Sequence, residues 1–147
     1  MEVPSISKNP WKIHKTVLPQ HTDHAGVMWH GAYLNWLEEA RIDALSQVGL
    51  LYKDLSAQGF EMPVVSLNIN YMRAILHGEM VLLESQLLSR QRARWPWLTK
   101  FLREGDVVAE AKVDLVLVKR SGKGNRLVRK VPNDIANPLL KLQEGPI

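Results

Sequence analysis

The residues of this chain best equipped for chemistry lie in the run HTDHAGVMWH, from His21 to His30, where one acid and three histidines share a loop with a glycine. A loop carboxylate such as Asp23 can act as a general base or as a nucleophile, provided that a donor stabilises the charge it creates on its substrate. A helical pattern opens at about Gly31, and the first turn of a helix has free backbone N–H groups that carry partial positive charge. An acid followed closely by a helix start is thus a minimal acyl-transfer site, in which a carbonyl oxygen becomes anionic against the helix end. His30 closes the loop, where its ring could orient water or the carbonyl and its N–H could face the oxyanion. Two plainer readings stand beside this one. Asp23, between Thr22 and Gly26, also suits a turn in which the carboxylate bonds its own backbone. His21, His24 and His30 could meet around a metal, although no HExxH spacing supports that.

The elements that must hold this loop follow from periodicity. Trp11, Ile13 and Val17 alternate with Lys12, His14 and Thr16, the period of a half-buried strand that Pro19 ends. From about Gly31 to Val48 the period changes: Tyr33, Trp36, Leu37, Ala40, Ala44 and Val48 recur at helical steps. The other side of that helix mixes Asn35, Glu38, Glu39 and Asp43 with Leu34, Ile42 and Leu45, so the helix is expected to be largely enclosed. Gly49 is placed to end it in the left-handed conformation.

After a polar connection from about Tyr52 to Gly59, the remainder reads as strands. Val65, Leu67, Ile69 and Tyr71 give the clearest two-residue alternation, and a further strand follows the turn at His77-Gly78. The stretch Trp95 to Arg103 suits a strand, with Pro96 at an edge, a bulge or the strand start. Glu104-Gly105-Asp106 predicts a hairpin turn into the run Val107 to Leu117. SGKGN at 121–125 is another turn, and Arg126 to Val131 suits a short last strand. One strand, one enclosed helix and four or five further strands describe a single α+β domain with an antiparallel sheet curled around the helix. The second sheet face, with Val108, Val116, Val118 and Leu88, is expected to need covering by another subunit, so an oligomer is predicted.

Composition narrows the function classes. At 147 residues, 46% of them hydrophobic, the chain is sized for one core. No stretch is long and apolar enough to span a membrane and the N-terminus lacks a signal-like core, which predicts a cytoplasmic location. The absence of cysteine removes disulfides, zinc–thiolate sites and a cysteine nucleophile. The net charge of +4 favours an anionic partner but is too small and scattered to argue for nucleic acid. Arg90, Arg92 and Arg94, expected on one strand face, suit phosphates better than plain solvation, whereas the cluster of Lys119, Arg120, Lys123, Arg126, Arg129 and Lys130 reads as a solvated loop. Trp95 and Trp97 read as core or interface before they read as a substrate platform.

The run TDHAGVMWHGAYLNWLEEAR, residues 22–41, resembles the signature of the 4-hydroxybenzoyl-CoA thioesterase branch of the hotdog fold, which includes the acyl-CoA thioesterases of the Tol-Pal operon. MPVVSLNINYMRAILHGE, residues 62–79, is similar to the family's strand after the helix with its Gly-acid turn, and the resemblance extends over about residues 11–132. It implies a hotdog fold, catalytic carboxylate at Asp23, a backbone donor near His30 and Gly31, and dimers, commonly paired into tetramers, with active sites at the subunit interface. One departure stands out: where many members have Asp-Thr-Asp, this chain has His21-Thr22-Asp23. His24 is a second unusual choice.

The resulting expectation is hydrolysis of an aryl or short acyl-CoA thioester, with no cofactor and no metal. Asp23 would activate water or attack directly, and Arg90, Arg92, Arg94 and the 119–130 cluster would meet the CoA phosphates. The acyl group would lie along Tyr33, Trp36 or Met62. The rivals are a non-catalytic acyl- or metabolite-binding module of the same fold and a metal-dependent hydrolase that uses the histidines.

Overall fold

The alternating segments pair into antiparallel sheets and the helical segment packs against the larger one. The computed structural model describes residues 9–146. In chain order its elements are β1 (Trp11–Thr16), α1 (His30–Gln47), α2 (Tyr52–Ala57), β2 (Phe60–Glu61), β3 (Val64–Tyr71), β4 (Met80–Leu87), β5 (Arg94–Arg103), β6 (Asp106–Val116), β7 (Val118–Ser121), β8 (Gly124–Leu127) and α3 (Asn133–Glu144), with a 3-10 turn at Pro19–His21. The five-stranded sheet has the order β1-β4-β5-β6-β3, and a three-stranded sheet has the order β2-β7-β8.

Register decides which side chains meet α1. Trp11 faces Ser85, Ile13 faces Leu83, Leu83 faces Phe101, Leu87 faces Trp97, and Trp97 faces Val113. These positions form the inner face, and Val81, Leu83, Trp97 and Phe101 are buried there with Ala32, Tyr33, Trp36, Leu37, Ala40 and Ala44 of α1 in one hydrophobic cluster. Burial of this stripe, rather than capping, holds α1 in place, since each fully buried large side chain contributes about 1.5–3 kcal/mol. The helix ends as expected: Gly49 has φ of 85°, and the Leu50 N–H donates to the Leu45 carbonyl at 2.9 Å. Glu104 and Gly105 both have positive φ, 51° and 85°, so the hairpin between β5 and β6 closes through the mirror-image turn that matches strand twist. Pro96 lies near the start of β5, where its carbonyl accepts the Leu88 N–H and the Leu88 carbonyl, which proline cannot bond in return, accepts the Gln143 amide instead.

The outer face corrects the expectation of an apolar surface. Lys12 faces Glu84, Glu84 faces Lys100, Lys100 faces Glu110, and Glu110 faces Asn70, so one row alternates in charge across four strands and ends on an amide in the fifth. Val108, Val116 and Val118 are buried within the chain and Leu88 is half-buried. Val108 lies under the β3–β4 connection, whose Met72 and Arg73 N–H groups both donate to its carbonyl. Val116 and Val118 flank the point where the chain passes from one sheet to the other.

The exposed apolar area lies at β3 instead. Every residue of this edge strand except Ile69 is exposed, including Val64, Val65, Leu67 and Tyr71. Two helices depart from the sequence reading. The connection at 52–59 contains α2, and the region after 132 contains α3, whose Ile135, Leu139 and Leu142 are buried in the cluster. The Trp11 indole N–H donates to the Leu142 carbonyl at 2.8 Å and the Gln143 amide to the Leu88 carbonyl at 3.0 Å, so α3 is clamped to both β1 and the end of β4. Leu139→Ala is expected to cost about 2–5 kcal/mol of stability, the cost of truncating a buried leucine. A urea unfolding curve reads it directly, and an unchanged midpoint would show that α3 is not part of the cooperative core.

Candidate active site

Asp23 lies in a loop closed by its own backbone. Thr22 pairs with Met28, the Asp23 N–H donates to the Val27 carbonyl at 2.8 Å, and Gly26, at φ of 78°, donates to the Asp23 carbonyl at 3.0 Å. The carboxylate oxygen Oδ1 accepts the N–H groups of Ala25 and Val27 at 2.9 and 3.1 Å. Both readings of Asp23 therefore apply, one to each oxygen. Oδ1 fixes the turn, whereas no donor among the described residues reaches Oδ2, which faces solvent on an exposed residue.

A second chain segment holds the loop. The Met28 N–H donates to the Ile75 carbonyl at 2.8 Å, the His77 N–H donates to the Gly26 carbonyl at 3.0 Å, and Val27 pairs with Leu76. That segment is buckled in turn by Arg103, which donates to the Ala74 carbonyl at 2.7 Å and to Glu79 Oε1 at 2.9 Å. Glu79 also accepts the Leu76 N–H at 2.5 Å. Arg103 and the 74–79 turn escape a reading of the motif alone, because their partners lie far away in sequence. Only the Gly78-Glu79 pair gave a local sign of them.

The loop delivers the chain into α1 at His30. Trp29, the residue before the helix, makes no side-chain capping bond, and the N–H groups of His30 and Gly31 have no acceptor among the described residues. They are open to an incoming oxygen. The His30 ring is exposed and meets the Trp29 ring edge-on, with centroids 5.4 Å apart. His21, by contrast, is structural. Its Nδ1 accepts the Leu18 N–H at 3.0 Å and its ring meets Trp36 at 5.3 Å. Among the described residues no three His, Asp or Glu side chains converge as metal ligands would, so His21, His24 and His30 do not gather.

The proposed substrate-binding residues separate into two groups. Tyr33 lies one turn into α1, edge-on to Tyr71 at 4.9 Å and tilted against Phe101 at 5.3 Å. Trp36 is wholly buried and presents no surface to a ligand in this chain. Met62 is half-buried just before β3, at the Val64 end, while Tyr71 at the other end touches Tyr33. Seven strand steps between those ends span about 23 Å.

The arginines need a correction. Arg90, Arg92 and Arg94 do not share a strand face, because residues 89–93 form the turn between β4 and β5, with Arg92 at φ of 56° and Gln91 paired with Arg94. Arg90 donates to the carbonyls of Arg129 and Val128 at 2.9 Å and stacks on Trp95, and Arg94 pairs with Asp114 at 3.2 Å. Arg92 alone of the three is exposed with no such tie. Around it lies a basic groove. A cavity of about 910 Å³ is lined by Lys119, Arg120, Arg126, Arg129 and Lys130 over Phe60, Leu127, Val128 and Pro132, and a neighbouring one of about 440 Å³ adds Arg90 and Arg92. Neither lining contains an acid. The groove sits on the small sheet beside Phe60, at the Val64 end of β3 and thus far from Asp23 in the same chain.

The comparisons agree with this architecture. A family model described as the thioesterase-like superfamily matches residues 17–139. A protein of Synechocystis named "Putative esterase sll0410" is 35% identical over 145 residues, which covers 97% of this chain and 86% of that one. Among solved structures, a DHNA-CoA thioesterase from Staphylococcus aureus superposes with a TM-score of 0.78 at 27% identity, covering 90% of each chain. An Asp-to-Asn mutant of 4-hydroxybenzoyl-CoA thioesterase, complexed with 4-hydroxybenzoyl-CoA, superposes with a TM-score of 0.76 at 20% identity, covering 86% of this chain and 96% of that one. The chain belongs to the thioesterase-like superfamily, and its sheet wrapped around α1 is the hotdog fold. It is a thioester hydrolase. No helix among the described residues is long and apolar enough to cross a membrane.

Tyr33 supplies a pH test of the packing at the helix start. Burial, with Tyr71 adding to it and Arg103 opposing it, pushes its phenol from 10.0 up to about 12. The folded state thus favours the protonated phenol, so this contribution to stability is complete below pH 10 and is lost as pH rises toward about 12. Tyr33→Phe is expected to flatten that alkaline loss of stability in unfolding curves taken across the window, and a slope equal to wild type would rule Tyr33 out as its source.

Proposed function

We propose that the protein hydrolyses an acyl-CoA thioester with Asp23 as the reacting carboxylate and the open N–H groups of His30 and Gly31 as oxyanion donors. One observation carries the reading: a carboxylate fixed through one oxygen and free at the other, set in a loop that leads directly into an uncapped helix end. Oδ2 would take a proton from water as that water attacks the thioester carbonyl, or attack the carbonyl itself to form an anhydride that water then opens. In both, the C–S bond breaks and the CoA thiolate leaves and is protonated to the free thiol. The carbonyl oxygen would gain charge against donors already in place, so little reorganisation opposes the step. Tyr33, held protonated by burial, is no candidate base at neutral pH. The acyl group would rest between Tyr33 and Tyr71 on one side and the Trp29 indole on the other, and Trp36 is left to the core. The reaction needs no cofactor and would take place in the cytoplasm.

The nucleotide end of CoA calls for cations, and those nearest Asp23 in space would come from a second copy of the chain. β3 is a long, exposed, apolar edge strand, which favours pairing with another strand. Antiparallel pairing of β3 with its copy about a two-fold axis would set the Val64 end of one chain beside the Tyr71 end of the other. The partner's basic groove and Met62 would then approach Asp23, and the phosphates would meet the cluster that the opposite end of the same chain cannot offer. This supports a homodimer as the active unit.

Asp23→Asn is expected to lower kcat for thiol release by at least about a hundredfold, the scale of a lost general base, with substrate binding retained. Wild-type turnover by that variant would end the assignment. The shared site predicts complementation as well. Co-expression of Asp23→Asn with a chain carrying Arg126→Glu and Lys130→Glu should restore about a quarter of wild-type activity, since half of the random dimers hold one intact site of two. No recovery in verified heterodimers would place both halves of the site in one chain.

A further inference from the structure

Gly31 and Trp29 fit each other in a way that the catalytic reading does not use. A Cβ built on Gly31 would overlap Cη2, Cζ3 and Cζ2 of the Trp29 indole, so the ring occupies the space that a side chain at position 31 would fill. Packing here is between one ring and the backbone of the first helical turn, on which the two open N–H groups stand. Trp29 is nevertheless 44% exposed, unusual for so large an apolar side chain, and its remaining surface does not face bulk solvent alone. It lines a cavity of about 960 Å³ between β1 and the outward side of α1. That cavity has Ile13 and Ile42 among its apolar lining and Asn35, Glu38 and Glu39 among its polar lining. Asp23, His30 and Gly31 do not line it. Trp29 is therefore the residue that stands in both places, one side against the helix start and the other in the cavity.

We propose that Trp29, seated on Gly31, is the wall that limits the length of the acyl group. The inference rests on the acyl-transfer reading above and adds to it a residue that determines specificity without touching the reacting atoms. An acyl group whose carbonyl lies at His30 and Gly31 ends at the indole. With the ring removed, the helix start and the cavity merge, and a longer chain can run over Ile13 and Ile42. Glycine at 31 is what lets the ring close, since any Cβ there must push it away.

The test is the ratio of kcat/KM for dodecanoyl-CoA to that for butanoyl-CoA. Trp29→Ala is expected to raise the ratio at least about tenfold, the scale of selectivity set by apolar pocket size, while Trp29→Phe keeps it near wild type. Gly31→Ala should raise it in the same direction by displacing the indole. In the Trp29→Ala background the same change should add nothing, because the added methyl has no ring to displace. An unchanged ratio in a folded Trp29→Ala variant overturns the proposal, and an equal effect of Gly31→Ala with and without the indole overturns the link between the two residues. The two readings fail separately. Wild-type turnover of butanoyl-CoA by Asp23→Asn removes the acyl-transfer assignment, whereas an unchanged chain-length ratio with turnover intact removes only the wall.

Discussion

Everything at the candidate site depends on α1 being held by its buried side rather than by its end. Ala32, Tyr33, Trp36, Leu37, Ala40 and Ala44 bury one stripe against the inner sheet face. That contact is large enough for the helix to persist with its first N–H groups unpaired, a loss that a marginal helix would have to offset with a capping side chain. The loop before it is fixed independently, through Met28 to Ile75 and His77 to Gly26. Acid and donors thus sit on two separately anchored segments that meet at Trp29 and His30.

The second constraint is the length of β3. It separates the helix start, where Tyr71 meets Tyr33, from the small sheet that carries the cations. A single chain therefore has Asp23 and the helix start at one end and the basic groove at the other. Its edge strand, paired with β6 on one side only, runs between them. The outer sheet face offers no such invitation, because the row from Lys12 to Glu110 already matches each charge with its opposite across the strands. The exposed apolar side chains of the large sheet thus gather at one edge.

Much of this was legible in the sequence because the main signals are local. The stripe at Tyr33, Trp36, Leu37, Ala40 and Ala44, the turn residues Glu104 and Gly105, and the alternation in β3 each state their structure within a few residues. The uncovered face was misread because periodicity tells which residues share a face but not where the chain will cross over itself. Val108, Val116 and Val118 are buried by a crossing and by a change of sheet. The three arginines looked alternating on a strand, yet a two-residue turn at Arg92 interrupts it. Helix α3 was missed because Asn133, Asn137 and Pro138 read as a tail, although Ile135, Leu139 and Leu142 carry a helical stripe; only docking on Trp11 and Leu88 makes the segment a helix worth forming. Asp23 stands out in the sequence by type and position, but which of its oxygens is free is set by Ala25 and Val27 and cannot be read from type alone.

The cations of the groove also shape the field of the whole molecule. Residues 119–130 hold six of the nineteen Lys and Arg and no acid, so the other thirteen stand against fifteen acids and the rest of the chain is net negative. The mild overall charge hides a dipole, with its positive pole on the β7–β8 hairpin. A polyanion diffusing toward the protein would be drawn to that pole first, and its uncharged end would search for the helix start afterwards. Encounter with such a polyanion would therefore slow as salt is added.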